Sequence, residues 1–316
     1  ELYYIMMGDQ NGKSEQQLAP QNAPRPEGFF LNRQGLKLSV RCTLPSSPEK
    51  CWAAVLYLHG YCAHMNSKPK ILLAQEFAEK GIAFLSYDQA AHGYSDGERV
   101  LLPSHVEYVA DALQFLSMTV GGEQDSQDGE LVIPKDILFK LREVPFFIAG
   151  ESFGGSLAIL TSLELQDRKE SSPDYAEFQN YAGTILLAPA IVANPPPAPV
   201  VWLLENTVAR WFPAACVPSF LESVHRPELN WKRQEDIDRV ALDSQENGGL
   251  GWGRNTRFQS GLNMLRALAA VRARLRDVRF PYLALHDPED GIVRFEGSRR
   301  LHEEAATEEE EEEEEE

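Results

Sequence analysis

The residues best placed to do chemistry sit in one short stretch, Gly150-Glu151-Ser152-Phe153-Gly154-Gly155. An apolar run, Phe146 to Ala149, leads into it, and an apolar helical pattern beginning Ser156-Leu157-Ala158-Ile159-Leu160 leads out. A serine at the point where a buried strand turns into a helix is held in a strained, exposed turn, with its hydroxyl at the rim of a sheet. Side chains at the flanking positions would collide with the neighbouring strand and helix, which accounts for the glycines. The helix N-terminus behind the serine favours a developing negative charge. The chemistry that suits this arrangement is nucleophilic attack with a covalent acyl intermediate. An ordinary glycine-cornered turn carries the same letters and no chemistry, so the surrounding elements decide.

Those elements alternate. Phe29–Asn32 and Leu36–Leu44 read as strands around the turn at Gln34-Gly35, the second with apolar and polar residues on opposite sides, as in an antiparallel, half-exposed strand. After Trp52 the pattern changes to short apolar runs: AAVLYLHG ending in a glycine, IAFLSYD, FFIAG and GTILLAP, with PYLALHD later. Between them lie helical patterns: ILLAQEFAEKG, then HVEYVADALQFLSMTVGG with Val106, Val109, Ala110, Leu113 and Leu116 expected on its buried face, then the segment after Ser152 and one near 257–275. Apolar strands alternating with amphipathic helices predict an α/β fold, a mostly parallel sheet with helices on both faces. Residues 121–136 are acidic and Gly-rich and read as a surface insertion. Residues 190–255 are too long for a structureless loop and predict a small helical cap. Residues 1–28, polar and Pro-rich, are expected to be disordered, leaving 29–306 as the folded domain and 307–316 as a polyglutamate tail.

The bulk numbers narrow the function. Of 316 residues 43% are apolar, enough for one large core. The formal charge is −18, half of it from the nine glutamates at 308–316, and no basic stripe exists to hold nucleic acid. Four cysteines without a C-x-x-C pair are not a disulfide framework and are expected to be reduced. No secretory leader is visible, and the chain opens on Glu rather than Met, so the true start is expected to lie upstream. These features give a cytoplasmic expectation. No metal or nucleotide signature is present, and GESFGG lacks the ending of a phosphate-binding loop, so no cofactor is expected.

With these residues in place, the chain resembles the α/β-hydrolase superfamily, in particular its monoacylglycerol lipase and lysophospholipase-like (serine aminopeptidase-type) branch with its plant-type esterases. The matching stretches are LYLHGYCAHMNSK, GIAFLSYDQAAHGYSDGERV, FIAGESFGG, ILLAPAI and PYLALHDPEDGIV, in family order over roughly residues 50 to 306. The resemblance implies that Ser152 is the nucleophile and that the backbone N–H groups of Tyr61 and Phe153 form the oxyanion hole. It selects Asp290 as the acid, with Asp287 as the fallback, and gives Asp88, with His92 and Gly93, a role in shaping a loop. The family continues His-Gly-x-Gly where this chain has His59-Gly60-Tyr61-Cys62, which puts the geometry of that loop in question.

The same resemblance places the activating histidine some 30 residues beyond the acid, after one more helix and one more strand. The helix is recognisable in FEGSRRLHEEAAT; the strand and histidine are replaced by glutamates. Three readings stand: an acidic interaction tail, a sequence error, or genuine loss of the base. His302 lies roughly 10 Å down that helix at 1.5 Å per residue, too far to serve. The missing strand also leaves a sheet edge open and predicts poor solubility.

In the cap, Val201, Leu204, Val208 and Trp211 recur at helical spacing beside Trp202 and Phe212. Trp202, Leu204 and Trp211 are candidate substrate contacts, and the same apolar face suits either an acyl chain, a membrane surface touched peripherally, or plain packing of the cap. The expected function is a serine ester hydrolase acting on a small lipid ester such as a monoacylglycerol or lysophospholipid. The alternatives are a peptidase or acyltransferase on the same scaffold, or a binding protein that kept the pocket and lost its base.

Overall fold

The computed structural model describes residues 28–121, 129–130, 133–171, 178–193, 196–218, 233–244 and 248–307. The expected disordered segment before residue 28, the polyglutamate after 307 and His225 lie outside these.

Among the described residues eight strands form one sheet: β1 Gly28–Leu31, β2 Lys37–Thr43, β3 Ala53–Leu58, β4 Ile82–Tyr87, β5 Gly129–Glu130, β6 Phe146–Glu151, β7 Tyr181–Leu187 and β8 Tyr282–Leu285, in the order β5-β1-β2-β4-β3-β6-β7-β8. The first three in that order pair antiparallel, and β4, β3, β6, β7 and β8 are parallel. All six residues of β3 are buried, because helices cover both of its faces and no position can remain polar. Successive side chains still alternate: Ala54, Leu56 and Leu58 join the larger apolar cluster, while Val55 and Tyr57 join a smaller one with Met65, Leu73 and Phe84.

The helices are α1 Lys68–Glu79, α2 His105–Leu116, α3 Lys135–Leu141, α4 Phe153–Ser171, α5 Ala198–Asn206, α6 Val208–Trp211, α7 Gln234–Leu242, α8 Phe258–Ala273 and α9 Glu296–Glu304. A complete capping box opens α2: the Ser104 hydroxyl accepts the Glu107 N–H, and the Glu107 carboxylate accepts that of Ser104. Its buried face differs from expectation. Tyr108, Asp111, Ala112, Leu113, Phe115 and Leu116 point inward, and Val106 is 65% exposed. Tyr108 and Phe115 offer far more area to bury than valine, and they set the rotation of the helix. The acidic insertion also holds something unexpected: Gly129 and Glu130 add a short strand beside β1, which shows no apolar period in the sequence.

At the opposite edge, β8 pairs with β7 and with no other described strand, and its Leu283 and Leu285 are exposed. No helix among the described residues is long and apolar enough to cross a membrane.

Candidate active site

Register brings the ends of four parallel strands to one rim. Leu58 of β3 lies opposite Gly150 of β6, and Glu151, Leu187 and Leu285 of β6, β7 and β8 are aligned.

Ser152 takes a left-handed backbone conformation, φ 51°. This is unfavourable for a residue with a side chain and is held by its surroundings. Its N–H donates to the Leu187 carbonyl (2.9 Å), and its own carbonyl accepts the N–H groups of Gly155 (3.0 Å) and Ala190 (2.9 Å). A Cβ at Gly150 would stand 2.2 Å from the Gly154 oxygen, one at Gly154 would stand 2.1 Å from the Leu58 oxygen, and one at Gly155 would stand 2.8 Å from Pro189. The glycines are therefore contact points between strand, helix and neighbouring loop, as the sequence pattern implied. Phe153 opens α4, buried and edge-on to Tyr108 at 6.2 Å.

The loop after β3, His59 to Cys62, lies against the serine: a Cβ on Gly60 would sit 3.2 Å from that of Ser152. Cys62, where the family has glycine, still adopts φ 64°. The turn is left-handed although the residue is not the one that favours it. Behind this strap, Asp88 is fully buried and its carboxylate accepts the N–H groups of Met65 (2.7 Å) and Tyr94 (2.9 Å) and the Asn66 amide (3.1 Å). It shapes two loops at once. Burial raises its pKa, against the opposing pull of His64 and these donors.

Each described buried histidine is committed elsewhere. His59 bridges the Gly60 carbonyl (2.8 Å) and the Gln89 N–H (3.0 Å), and burial drives its pKa far down, so the ring is neutral. His92 meets the Ala90 carbonyl at 3.0 Å, and burial pushes its pKa down to about 4. His64 lies 2.6 Å from Asp243, which follows α7, and accepts the Asn66 N–H. His286 lies between the Ser298 hydroxyl (2.7 Å) and the Val293 carbonyl (3.0 Å). His302 sits on the exposed side of α9. None of these rings has Ser152 as a partner.

Asp290 follows β8, two strands from Ser152, so the strands that carry the two are about 10 Å apart. One carboxylate oxygen accepts the N–H groups of Ile292 (2.8 Å) and Val293 (2.9 Å), and the other is 3.6 Å from His286 Nε2. Asp287 is more exposed and shapes the turn, accepting the Glu289 N–H (2.9 Å). The loop holds both carboxylates by its own amides, two on Asp290 and one on Asp287.

The apolar stripe expected over residues 201–211 is not continuous. Thr207 leaves helical geometry (φ −123°, ψ −87°) and separates α5 from α6. Leu204 is half-buried, whereas Trp202 and Trp211 are 65% and 71% exposed.

The sequence reading passed over Glu151. Its carboxylate, at the end of an apolar strand, accepts the Tyr57 hydroxyl (2.8 Å) and the Gly60 N–H (3.3 Å) and pairs with Lys70 of α1 (2.6 Å). An acid closing an otherwise apolar strand was the available signal.

A mostly parallel sheet with a positive-φ serine between strand and helix, an apposed strap and a carboxylate two strands away is the α/β-hydrolase fold. The chain belongs to the family described as serine aminopeptidase S33, whose model matches residues 49–313. Among curated proteins it is similar to monoglyceride lipase of Rattus norvegicus, 24% identical over 286 residues that cover 90% of this chain and 80% of the relative. The Homo sapiens monoglyceride lipase is also 24% identical, over 92% and 82% of the two chains. Among solved structures it matches the monoacylglycerol lipase of Paleococcus ferrophilus, with TM-score 0.61, 19% identity and coverage of 86% and 85%. A soluble variant of the Saccharomyces cerevisiae monoglyceride lipase, in complex with a substrate analogue, gives TM-score 0.63 at 15% identity, covering 90% and 83%.

Proposed function

We propose that this protein is a serine hydrolase that cleaves a small lipid ester through an acyl-enzyme on Ser152. Its class is carboxylic ester hydrolase, supported by the family match and by relatives named as monoglyceride lipases. The observation that carries the mechanism is the left-handed Ser152 wedged between the Gly60 strap and α4. In this reading Ser152 Oγ attacks the ester carbonyl carbon, and the N–H groups of Tyr61 and Phe153 stabilise the oxyanion. Collapse of the tetrahedral species expels the alcohol, and water then releases the acid. The hydroxyl proton passes to water, and water protonates the departing alkoxide, which keeps turnover slow until an imidazole is supplied for Asp290 to orient. Substrate contact is assigned to the apolar cap, with Leu204 half-buried and Trp202 and Trp211 available to a lipid surface.

One observation favours a second reading. No described histidine is bonded to Ser152, which suits a protein that binds esters without turning them over.

A fluorophosphonate probe with mass-spectrometric site mapping, beside a panel of chromogenic acyl esters and aminoacyl amides, separates these readings. The expected result is labelling at Ser152, lost in Ser152→Ala, with slow ester turnover and none of the amides. Appending a strand and histidine loop from a family relative after residue 307 is expected to raise turnover by several orders of magnitude, since loss of the histidine in a serine protease costs about 10⁶ in kcat. An extended chain that folds, binds ester and stays inert establishes the binding protein.

A further inference from the structure

We propose that Glu151, with its charge balanced by Lys70, is the positioning residue of the oxyanion hole. This rests on the hydrolase reading above. Two donors from separate elements, Tyr61 on the strap and Phe153 on α4, must be spaced to fit one oxygen atom, and displacement of about 1 Å in such an arrangement costs about 100-fold in rate. Glu151 directly precedes Ser152, and Gly60 directly precedes Tyr61. The carboxylate therefore ties the residue before the nucleophile to the residue before the first donor, through the Gly60 N–H at 3.3 Å. Its second oxygen accepts the Tyr57 hydroxyl at 2.8 Å, which fixes the carboxylate to the middle of the site's own sheet.

The bond to the strap could be made by any acceptor. A charged one needs explaining, because a negative charge beside a developing oxyanion opposes it. Lys70 supplies the answer. Its ammonium lies 2.6 Å from the same oxygen that holds Gly60, and both side chains are largely buried, at 12% and 19% exposure. The pair gives the strap a strong, charge-assisted anchor with no net charge. Burial alone would raise the carboxyl pKa, yet Lys70, Tyr57 and the Gly60 N–H together hold it below its ordinary range. The group is thus ionised and paired. The demand is asymmetric in rate: loss of Lys70 leaves an unbalanced negative charge beside the oxyanion, loss of the charge on Glu151 leaves a positive one, and removal of the negative charge repairs the loss of Lys70.

The test compares Lys70→Met, Glu151→Gln and the double variant in the full chain. Each is reacted with a fluorophosphonate, in which the Ser152 oxygen bonds to phosphorus, fluoride leaves and the hydroxyl proton goes to solvent. Lys70→Met is expected to lower the limiting labelling rate about 100-fold with the half-saturating probe concentration unchanged. Glu151→Gln keeps one oxygen to accept the Gly60 N–H while its amide nitrogen donates to the Tyr57 oxygen, and it loses no more than about 5-fold, and the double variant returns to within about 5-fold of Glu151→Gln. A structural ion pair behaves otherwise: both single variants fall together with their melting temperatures, and the double variant is no better than Lys70→Met. That result overturns the proposal. Hydrogen exchange of the peptide spanning residues 59–62 gives a readout that needs no chemistry at Ser152. Glu151→Ala is expected to speed exchange at Gly60 and Tyr61 at least 10-fold while α4 stays protected, and unchanged exchange there overturns the proposal even if the parent chain is never labelled. Absence of labelling in the parent, with the exchange result as expected, counts against the hydrolase reading alone.

Discussion

A methyl group added at Gly154 would come within 2.1 Å of the Leu58 carbonyl oxygen and 2.6 Å of that of His59, whereas one added at Gly291, beside Asp290, meets nothing within 4 Å. The two sides of the candidate site differ in the same sense throughout. Around Ser152, β3 is buried along its whole length and main chain touches main chain at Gly150, Gly154 and Gly155. Around Asp290, β8 has two exposed leucines, and the loop is held by hydrogen bonds to its own amides. The serine is positioned by packing between elements and the acid by local turn chemistry. Packing of this kind cannot relax around a new atom, because the atoms in the way are backbone.

The widest gap is expected between two glycine variants. Gly154→Ala should cost more than about 4 kcal/mol or prevent folding, since it forces strand β3 away from α4. Gly291→Ala should lie within about 0.5 kcal/mol of the parent. Urea unfolding measures both, and comparable midpoints would remove the distinction between the two sides.

A buried acid makes the serine side pH-sensitive as well. Asp111 lies on α2, the helix whose Tyr108 touches Phe153, and it is 1% exposed with one described hydrogen bond, from the Asn32 amide at 3.3 Å. Burial pushes its carboxyl pKa up to about 7. The unfolded chain releases this proton near pH 4, so between about pH 4 and 7 the folded state holds a proton that the unfolded state has lost. Stability from this group is therefore greatest below pH 4 and falls as pH rises to 7, by up to about 4 kcal/mol. Asp111→Asn should flatten that slope and be the more stable chain at pH 8. Parallel melting curves for parent and variant from pH 4.5 to 8 would show the assignment wrong.

These cases show what the sequence made legible. Short apolar runs between helical patterns were enough for the parallel strands, since a strand covered on both faces has no polar position to spare. The elbow glycines were legible because steric exclusion is written in residue type. Val106 was misplaced because periodicity alone cannot choose between a valine face and one led by Tyr108 and Phe115 a small rotation away. The strand at Gly129–Glu130 was missed because its pairing comes from β1 and not from its own composition. Glu151 was missed for a similar reason: its partners Tyr57, Gly60 and Lys70 lie some 80 to 94 residues away in sequence and meet it only in the folded sheet.

At the open edge, the effect to seek is on association and not on folding. Leu283 and Leu285 are 52% and 40% exposed on a strand with no described partner on its outer side. Leu283→Lys should lower light scattering at high protein concentration several-fold, because a charge on an edge strand opposes pairing with another chain. Its melting temperature should stay within about 2 °C of the parent, since surface changes are usually within about 0.5 kcal/mol. The equivalent change at Leu56, buried in β3, should instead unfold the protein.

The smallest effect tests whether packing on the serine side also dictates backbone conformation against residue preference. Cys62 holds φ 64° on the strap, a region that glycine enters freely and other residues enter at a cost of about 1–2 kcal/mol. Cys62→Gly removes that cost but gives the unfolded chain more freedom, worth about 0.5–1 kcal/mol, so the net gain should not exceed about 1 kcal/mol. Cys62→Val should lose about 1–2 kcal/mol, because a β-branched residue fits the left-handed region least well. Since the strap keeps its course in both, probe labelling at Ser152 should change less than about 3-fold in Cys62→Gly. A valine variant as stable as the glycine variant would mean that the strap can abandon its left-handed turn, and the strap would then owe its shape to Cys62 itself and not to its anchors at Asp88 and Glu151.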